Sequence, residues 1–201
     1  MISVVMDTSN QYLSVGLFKD GKMLDAYQKI GTKRQSEDAI PVLHSLIERH
    51  DLSLRGVDEM IITKGPGSYT GVRVAMTIAK TLAAIAPVKI KTVSSLAAYA
   101  GNKKAISIID ARSKKVFACV YDQGKPLMEE MMCTYEEALA LKQQYPDFSF
   151  VGQTSLLGVD PEEADLCNNI YQLSLNVEAE EYVDALTPTY IKNVEAKKAC
   201  I

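Results

Sequence analysis

The chain has 201 residues, 47% hydrophobic and 23% charged, with 22 basic residues against 25 acidic and a net charge of −3. That balance suits a globular protein with a real core and excludes disorder, collagen and coiled coil. It also excludes nucleic-acid binding by bulk charge, which needs clustered Lys and Arg; contact with RNA would require a partner or a local patch.

The opening predicts three strands, over 2–6, 12–18 and 23–28. Lys19-Asp20-Gly21-Lys22 between the last two is a hairpin signal, and Asp7-Thr8-Ser9-Asn10-Gln11 is turn chemistry. The chain starts on a strand-like run without a charged leader, and its longest apolar stretch, 78–88, is broken by Lys80 and falls short of the ~20 residues of a membrane span. The expectation is a cytoplasmic protein.

Ala39, Ile40, Leu43, Leu46 and Ile47 have the spacing of an amphipathic helix over 36–50. Ser36, followed by Glu37 and Asp38, is the expected N-cap, and Pro41, tolerated near a first turn, puts the expected start close to itself. A strand over 59–63 follows. Lys64-Gly65-Pro66-Gly67-Ser68 then opens a long helix to about Ala86, closed by Pro87. Residues 89–93 predict a strand and 94–100 a short helix ending at Gly101. The order then restarts, with strands over 105–109, 116–121 and 127–133. A helix over 134–145 carries a capping box from Thr134 and Glu137, a strand covers 148–152, and loop and helix run to 176. The repeated β-β-β-α-β order predicts an α/β fold of two related lobes, residues 1–102 and a smaller 103–201.

Asp7-Thr8-Ser9 ends the first strand; a carboxylate and two hydroxyls there can hold a hydrated cation or a phosphate oxygen, or only shape an Asx-turn. Gly65-Pro66-Gly67-Ser68-Tyr69-Thr70-Gly71 is neither a Walker motif nor G-x-G-x-x-G, because Gly71 comes one residue late. It can approach an anion or serve as a tight turn and helix cap. His44 and His50 point about 120° apart on a helix and cannot share a metal. No serine lies in G-x-S-x-G. Cys119, Cys133, Cys167 and Cys200 lack C-x-x-C spacing and are expected to be reduced packing thiols. Asp110-Ala111-Arg112 ends the strand that opens the second lobe and reads as a ligand contact or a local ion pair; Lys114-Lys115 is too short for a nucleic-acid patch.

Together, Val4-Val5-Met6-Asp7-Thr8-Ser9, the motif from Gly65 through Gly71-Val72-Arg73-Val74, Val93-Ser94-Ser95-Leu96-Ala97 and Asp110-Ala111-Arg112 resemble the TsaB (YeaZ) family. Pro188-Thr189-Tyr190-Ile191-Lys192 is similar to that family's P-x-Y. The family-motif residues are Asp7, Gly65, Gly67, Ser68, Tyr69, Gly71, Arg73, Asp110 and Arg112. The resemblance implies the two-lobed fold of actin, Hsp70 and sugar kinases. It implies a non-catalytic subunit, without cofactor or metal, that binds the paralogue TsaD together with the ATPase TsaE. TsaD transfers threonylcarbamoyl to the adenosine beside the anticodon of tRNAs reading codons that begin with A; the subunit would meet tRNA only through the complex. The paralogue's metal-binding H-x-x-x-H corresponds here to Ser95 and Tyr99. Departures are Lys33-Arg34-Gln35, where many members have Arg-x-His, and Lys115, where many have Glu. The alternatives are a phosphotransferase of the same fold using Asp7 and Asp110 around a nucleotide, and a metallopeptidase.

The helix after Ser68 has an apolar arc of roughly 200°. Its bulky side, Val74, Ile78, Leu82 and Ile85, is expected to pack on the sheet. Its small side, Val72, Ala75, Met76, Ala79 and Ala83, is expected to meet the partner together with Ile40, Leu43 and Ile47 of the preceding helix, with homodimers on the same surface when TsaD is absent; the alternative is that this side packs only on the chain's own 36–50 helix. Arg73, Thr77, Lys80 and Thr81 form the polar face. Gly65 and Gly67 are expected to hold backbone angles that a Cβ disfavours.

Overall fold

The computed structural model describes residues 1–31 and 34–191. Lys33, Lys192 and Cys200 lie outside them. Strands β1 (Ile2–Asp7), β2 (Tyr12–Lys19) and β3 (Lys22–Ile30) form an antiparallel meander, and β4 (Glu59–Thr63) and β5 (Lys89–Val93) add to it in parallel, giving the order β3-β2-β1-β4-β5. Asp20 and Gly21, with φ of 49° and 83°, make the β2–β3 turn the primed type that matches strand twist.

Period-two alternation gives this sheet two buried faces. Val4, Met6, Leu13, Val15, Leu17, Met60 and Ile62 pack under α1 (Gln35–Arg49) and α2 (Tyr69–Ile85). Val5, Phe18 and Ile61 face α3 (Ser95–Ala100) and α5 (Leu166–Ser174), where Phe18 stacks on Tyr171 at 4.1 Å. A second sheet has the order β10-β6-β7-β8, from β6 (Ala105–Arg112), β7 (Lys115–Asp122), β8 (Lys125–Pro126) and β10 (Ser149–Gly152), with β9 (Met131–Thr134) also on β7. Helix α4 (Tyr135–Gln144) covers one face, opened by the capping box of Thr134 and Glu137. The other face shares its apolar cluster with α3 and α5, so these two helices are the layer between the sheets.

Two boundaries differ from the sequence reading. Helix α1 begins at Gln35 with Arg34 at its cap; Ser36 lies inside it and caps nothing, and Pro41 sits within the helix, well past its first turn. Burial of Ala39, Leu43, Leu46 and Ile47 outweighs the hydrogen bond that Pro41 cannot donate. Of the strand expected over 127–133 only the end is strand, in β9 from Met131, while the short β8 precedes it at Lys125–Pro126. Between them Glu130 leaves the ladder to accept hydrogen bonds from the hydroxyls of Ser94 and Tyr121.

Candidate functional site

The turn after β1 is buried. Asp7 Oδ1 accepts three hydrogen bonds, from Ser9 N at 2.8 Å, Ser9 Oγ at 2.6 Å and Thr63 Oγ1 at 2.6 Å. Ser9 Oγ also meets Ser95 Oγ of α3 at 2.8 Å. Asp7 Oδ2, Ser14 Oγ and Tyr99 OH are buried and meet no protein donor or acceptor. Ser14 stands opposite Asp7 in the β1–β2 register. Burial, with the Asp7 charge second, pushes the Tyr99 phenol well above its ordinary range. Ser95 and Tyr99 are thus parts of this interior.

The glycine motif closes on the same turn. Thr8 Oγ1 donates to the Gly71 carbonyl at 2.6 Å and accepts from Ala75 N at 3.2 Å, while Ser68 N donates to the Ser9 carbonyl at 2.7 Å. A Cβ on Gly67 would stand 2.4 Å from the Ser9 carbonyl oxygen. Gly65 has φ +98°, as expected; Gly67 does not take a left-handed angle, and its requirement is this close backbone approach. Ser68 caps α2 by accepting from Gly71 N.

A cleft of about 770 Å³ opens above the turn. Gly67, Ser68, Tyr69 and Gly71 line one side; Asp110, Arg112 and Gln153 line the other. The fold therefore brings Gly67, Ser68, Tyr69 and Gly71 to one cleft with Asp110 and Arg112, while Asp7, Gly65 and Arg73 of the family motif do not line it. Each Asp110 carboxylate oxygen is occupied by Arg112: Oδ1 accepts from its backbone N at 2.8 Å, and Oδ2 pairs with its guanidinium at 3.1 Å. Arg112, Ser113 and Lys114 have φ of 67°, 52° and 59°, a tight hairpin tip in left-handed conformation that holds Arg112 at the cleft mouth. His44 Nδ1 meets Glu48 Oε2 at 3.2 Å within α1, and His50 Nε2 meets Asp25 Oδ2 of β3 at 3.1 Å, so each histidine has its own carboxylate neighbour. Cys119, Cys133 and Cys167 are buried thiols.

The small side of the α2 arc does not face outward as expected. Val72 is buried, and Ala75, Met76 and Ala79 lie in the first sheet's core with Leu43 and Ile47 of α1 and with Leu82 of the bulky side. Small side chains let α2 approach the sheet and α1 closely, so they end up inside. Ala83 is half-buried. Of the bulky side, Leu82 is buried, Val74 and Ile78 are partly covered, and Ile85 is 65% exposed; on α1, Ile40 is 59% exposed. Of the expected partner-binding residues, Ile40 and Ala83 alone reach the surface. The polar face of α2 carries a strap made by the C-terminal segment: Lys80 Nζ donates to the carbonyls of Asp184 and Leu186 at 2.8 and 2.9 Å, and Thr189 N donates to the Lys64 carbonyl at 2.7 Å. Sequence reasoning missed Lys80 as its anchor, because a lysine on a polar stripe carries no mark of a distant carbonyl.

Over the described residues, these features define an α/β protein of two five-stranded sheets with a helical layer between them and a motif-lined cleft. Residues 29–199 match the family model described as TsaD, tRNA N6-adenosine threonylcarbamoyltransferase. The chain is 32% identical to the tRNA threonylcarbamoyladenosine biosynthesis protein TsaB of Bacillus subtilis (strain 168) over 78% of this chain and 73% of that protein. It is 28% identical to TsaB of Escherichia coli (strain K12) over 61% of this chain and 55% of that protein. The crystal structure of an uncharacterised protein with similarity to peptidase YeaZ from Pseudomonas aeruginosa superposes with a TM-score of 0.79 at 23% identity, covering 95% of this chain and 99% of that one. The chain belongs to the TsaB family.

Proposed function

We propose that the protein works in tRNA threonylcarbamoyladenosine synthesis as a non-catalytic subunit that binds TsaD, with TsaE joining the pair and tRNA met only through the assembly. The observation that carries this reading is the apolar surface of the α1–α2 pair, where Ile40 and Ile85 are exposed and Val74 and Ile78 are partly so. Apolar side chains left on the outside of a helix pair fit a second helix pair, and a copy of this chain would compete for the same surface when TsaD is absent.

The geometry also weighs against the phosphotransferase alternative. Phosphoryl transfer needs acids free to hold a metal; Asp7 is enclosed with three internal donors on one oxygen, and Asp110 is engaged by Arg112. The close glycines serve packing against the β1 turn, which leaves no room for a phosphate beneath them. Metallopeptidase chemistry would need ligands where Ser95 and Tyr99 pack inside the fold.

Co-purification with TsaD from the source cell tests the reading. Stoichiometric recovery of TsaD, lost on Ile78→Glu, supports it. ATP hydrolysis by the lone chain, or recovery of TsaD unaffected by charges on this surface, overturns it.

A further inference from the structure

At the first turn of α2, three side chains from two distant segments form one cluster. The Arg73 guanidinium carbon lies 3.5 Å from the centre of the Tyr69 ring and 5.3 Å from that of Tyr190, and Nη1 donates to the Tyr69 carbonyl at 3.0 Å. The two rings stack at 6.1 Å. Tyr69 is 67% and Tyr190 49% exposed. Tyr190 reaches this place because the strap is pinned at Thr189 to the Lys64 carbonyl. The structure thus joins the glycine motif to the Pro188-Thr189-Tyr190 motif.

We infer that this cluster is a docking anchor for a carboxylate side chain of the protein partner, a role that rests on the α1–α2 pair bearing the partner surface. Among the described residues, Arg34, Arg49 and Arg112 pair with carboxylates, and Arg55 and Arg73 do not. Arg73 lies about 100° round the helix from Val74 and about 140° from Ile78, stacked on the exposed Tyr69 ring, so a partner that reaches from that surface across the first turn of α2 covers its guanidinium. Burying a cation without a counter-charge is strongly unfavourable, so the covering surface must bring an acid. The stack holds the planar fork in place beforehand, which lowers the entropy cost of a bidentate contact. Tyr and Arg are also the residue types in which interface energy concentrates. A phosphate of RNA is the weaker occupant. RNA binding relies on clustered cations, whereas the chain is net acidic and nearby Lys80 is committed to the strap.

The test is calorimetric titration of TsaD from the same organism with the full chain, Arg73→Gln, Arg73→Lys and Tyr190→Ala, with the melting temperature of each lone chain measured alongside. The expected result for Arg73→Gln is binding weakened about tenfold or more, with a melting temperature within about 3 °C of the parent. Arg73→Lys should recover part of the loss, more at low salt than at high. Tyr190→Ala should weaken binding as well. Equal affinity of parent and Arg73→Gln overturns the anchor while leaving the partner surface standing. A large fall in melting temperature shows a clamp that only holds the strap, and overturns it too. Unchanged TsaD affinity with weakened binding of a tRNA transcript to the mixed proteins assigns Arg73 to RNA and overturns it. Absence of TsaD binding by the parent chain removes the proposed function itself.

Discussion

Thr8 and Gly71 clasp each other across 63 residues. The Thr8 hydroxyl donates to the Gly71 carbonyl at 2.6 Å, and a Cβ placed on Gly71 would stand 2.1 Å from the Thr8 carbonyl oxygen. Backbone faces backbone there, so no side chain can rotate away to make room. Gly71→Ala and Gly67→Val are therefore expected to destabilise the chain by about 3 kcal/mol or more. Gly56, where a Cβ meets nothing within 4 Å, is the control, and Gly56→Ala should stay within about 0.5 kcal/mol. Urea unfolding of the three variants checks the ranking. A stable Gly71→Ala chain would mean that the motif is not closed on the β1 turn.

Helix α2 gives a paired prediction. Ala79 is fully buried and Ile78, one residue away, is partly exposed. Ala79→Glu places a charge in the core between α2, α1 and the first sheet, and should lower the melting temperature steeply or prevent folding. Ile78→Glu should leave the lone chain close to the parent and abolish TsaD recovery. The reverse ranking would return the small side of the helix to the surface.

Much of this architecture was legible from the sequence because it rests on local signals. The Asp-Gly hairpin, the Thr134–Glu137 capping box, Ser68 before α2 and Gly101 after α3 each act within a few residues. The orientation of α2 was not legible. Both halves of its arc are apolar, so periodicity alone cannot say which one meets the sheet; that is decided by how closely Ala75 and Ala79 let the helix approach. The strap escaped for a related reason. Its bonds run from Lys80 and Lys64 to residues more than 100 positions away, and to backbone carbonyls and amides that every residue possesses.

Alkaline stability follows from the buried thiols. Burial pushes Cys119 and Cys133 from 9.0 up to about 11 and Cys167 up to about 12. Their stabilising contribution is fully present below pH 9. Above it the unfolded chain gives up protons that the folded chain keeps, so stability falls as pH rises from about 9 to 12, by up to about 1.4 kcal/mol per pH unit for each thiol. Urea midpoints measured from pH 7 to 11 check the direction, and Cys167→Ala should flatten the decline. In a Cys200→Ser background, a thiol reagent at pH 8 should label Cys119, Cys133 and Cys167 only as the chain unfolds.

Asp7 separates a structural carboxylate from a catalytic one. Its Oδ1 collects all three donors, from Ser9 and Thr63, while Oδ2 is buried without a protein partner. Asparagine can keep its carbonyl oxygen at the Oδ1 position and so keep all three of those bonds. Asp7→Asn also removes a buried charge, so it should remain within about 1 kcal/mol of the parent. Asp7→Ala leaves three donors unsatisfied in the interior and should cost about 2–4 kcal/mol. Thr63→Val removes one of those donors and should cost about 1 kcal/mol. On the scaffold reading, Asp7→Asn recovers TsaD and supports tRNA modification in the reconstituted system as the parent does. If Asp7→Asn folds and holds TsaD yet abolishes modification, the carboxylate charge itself is needed, and the phosphotransferase alternative regains its central residue.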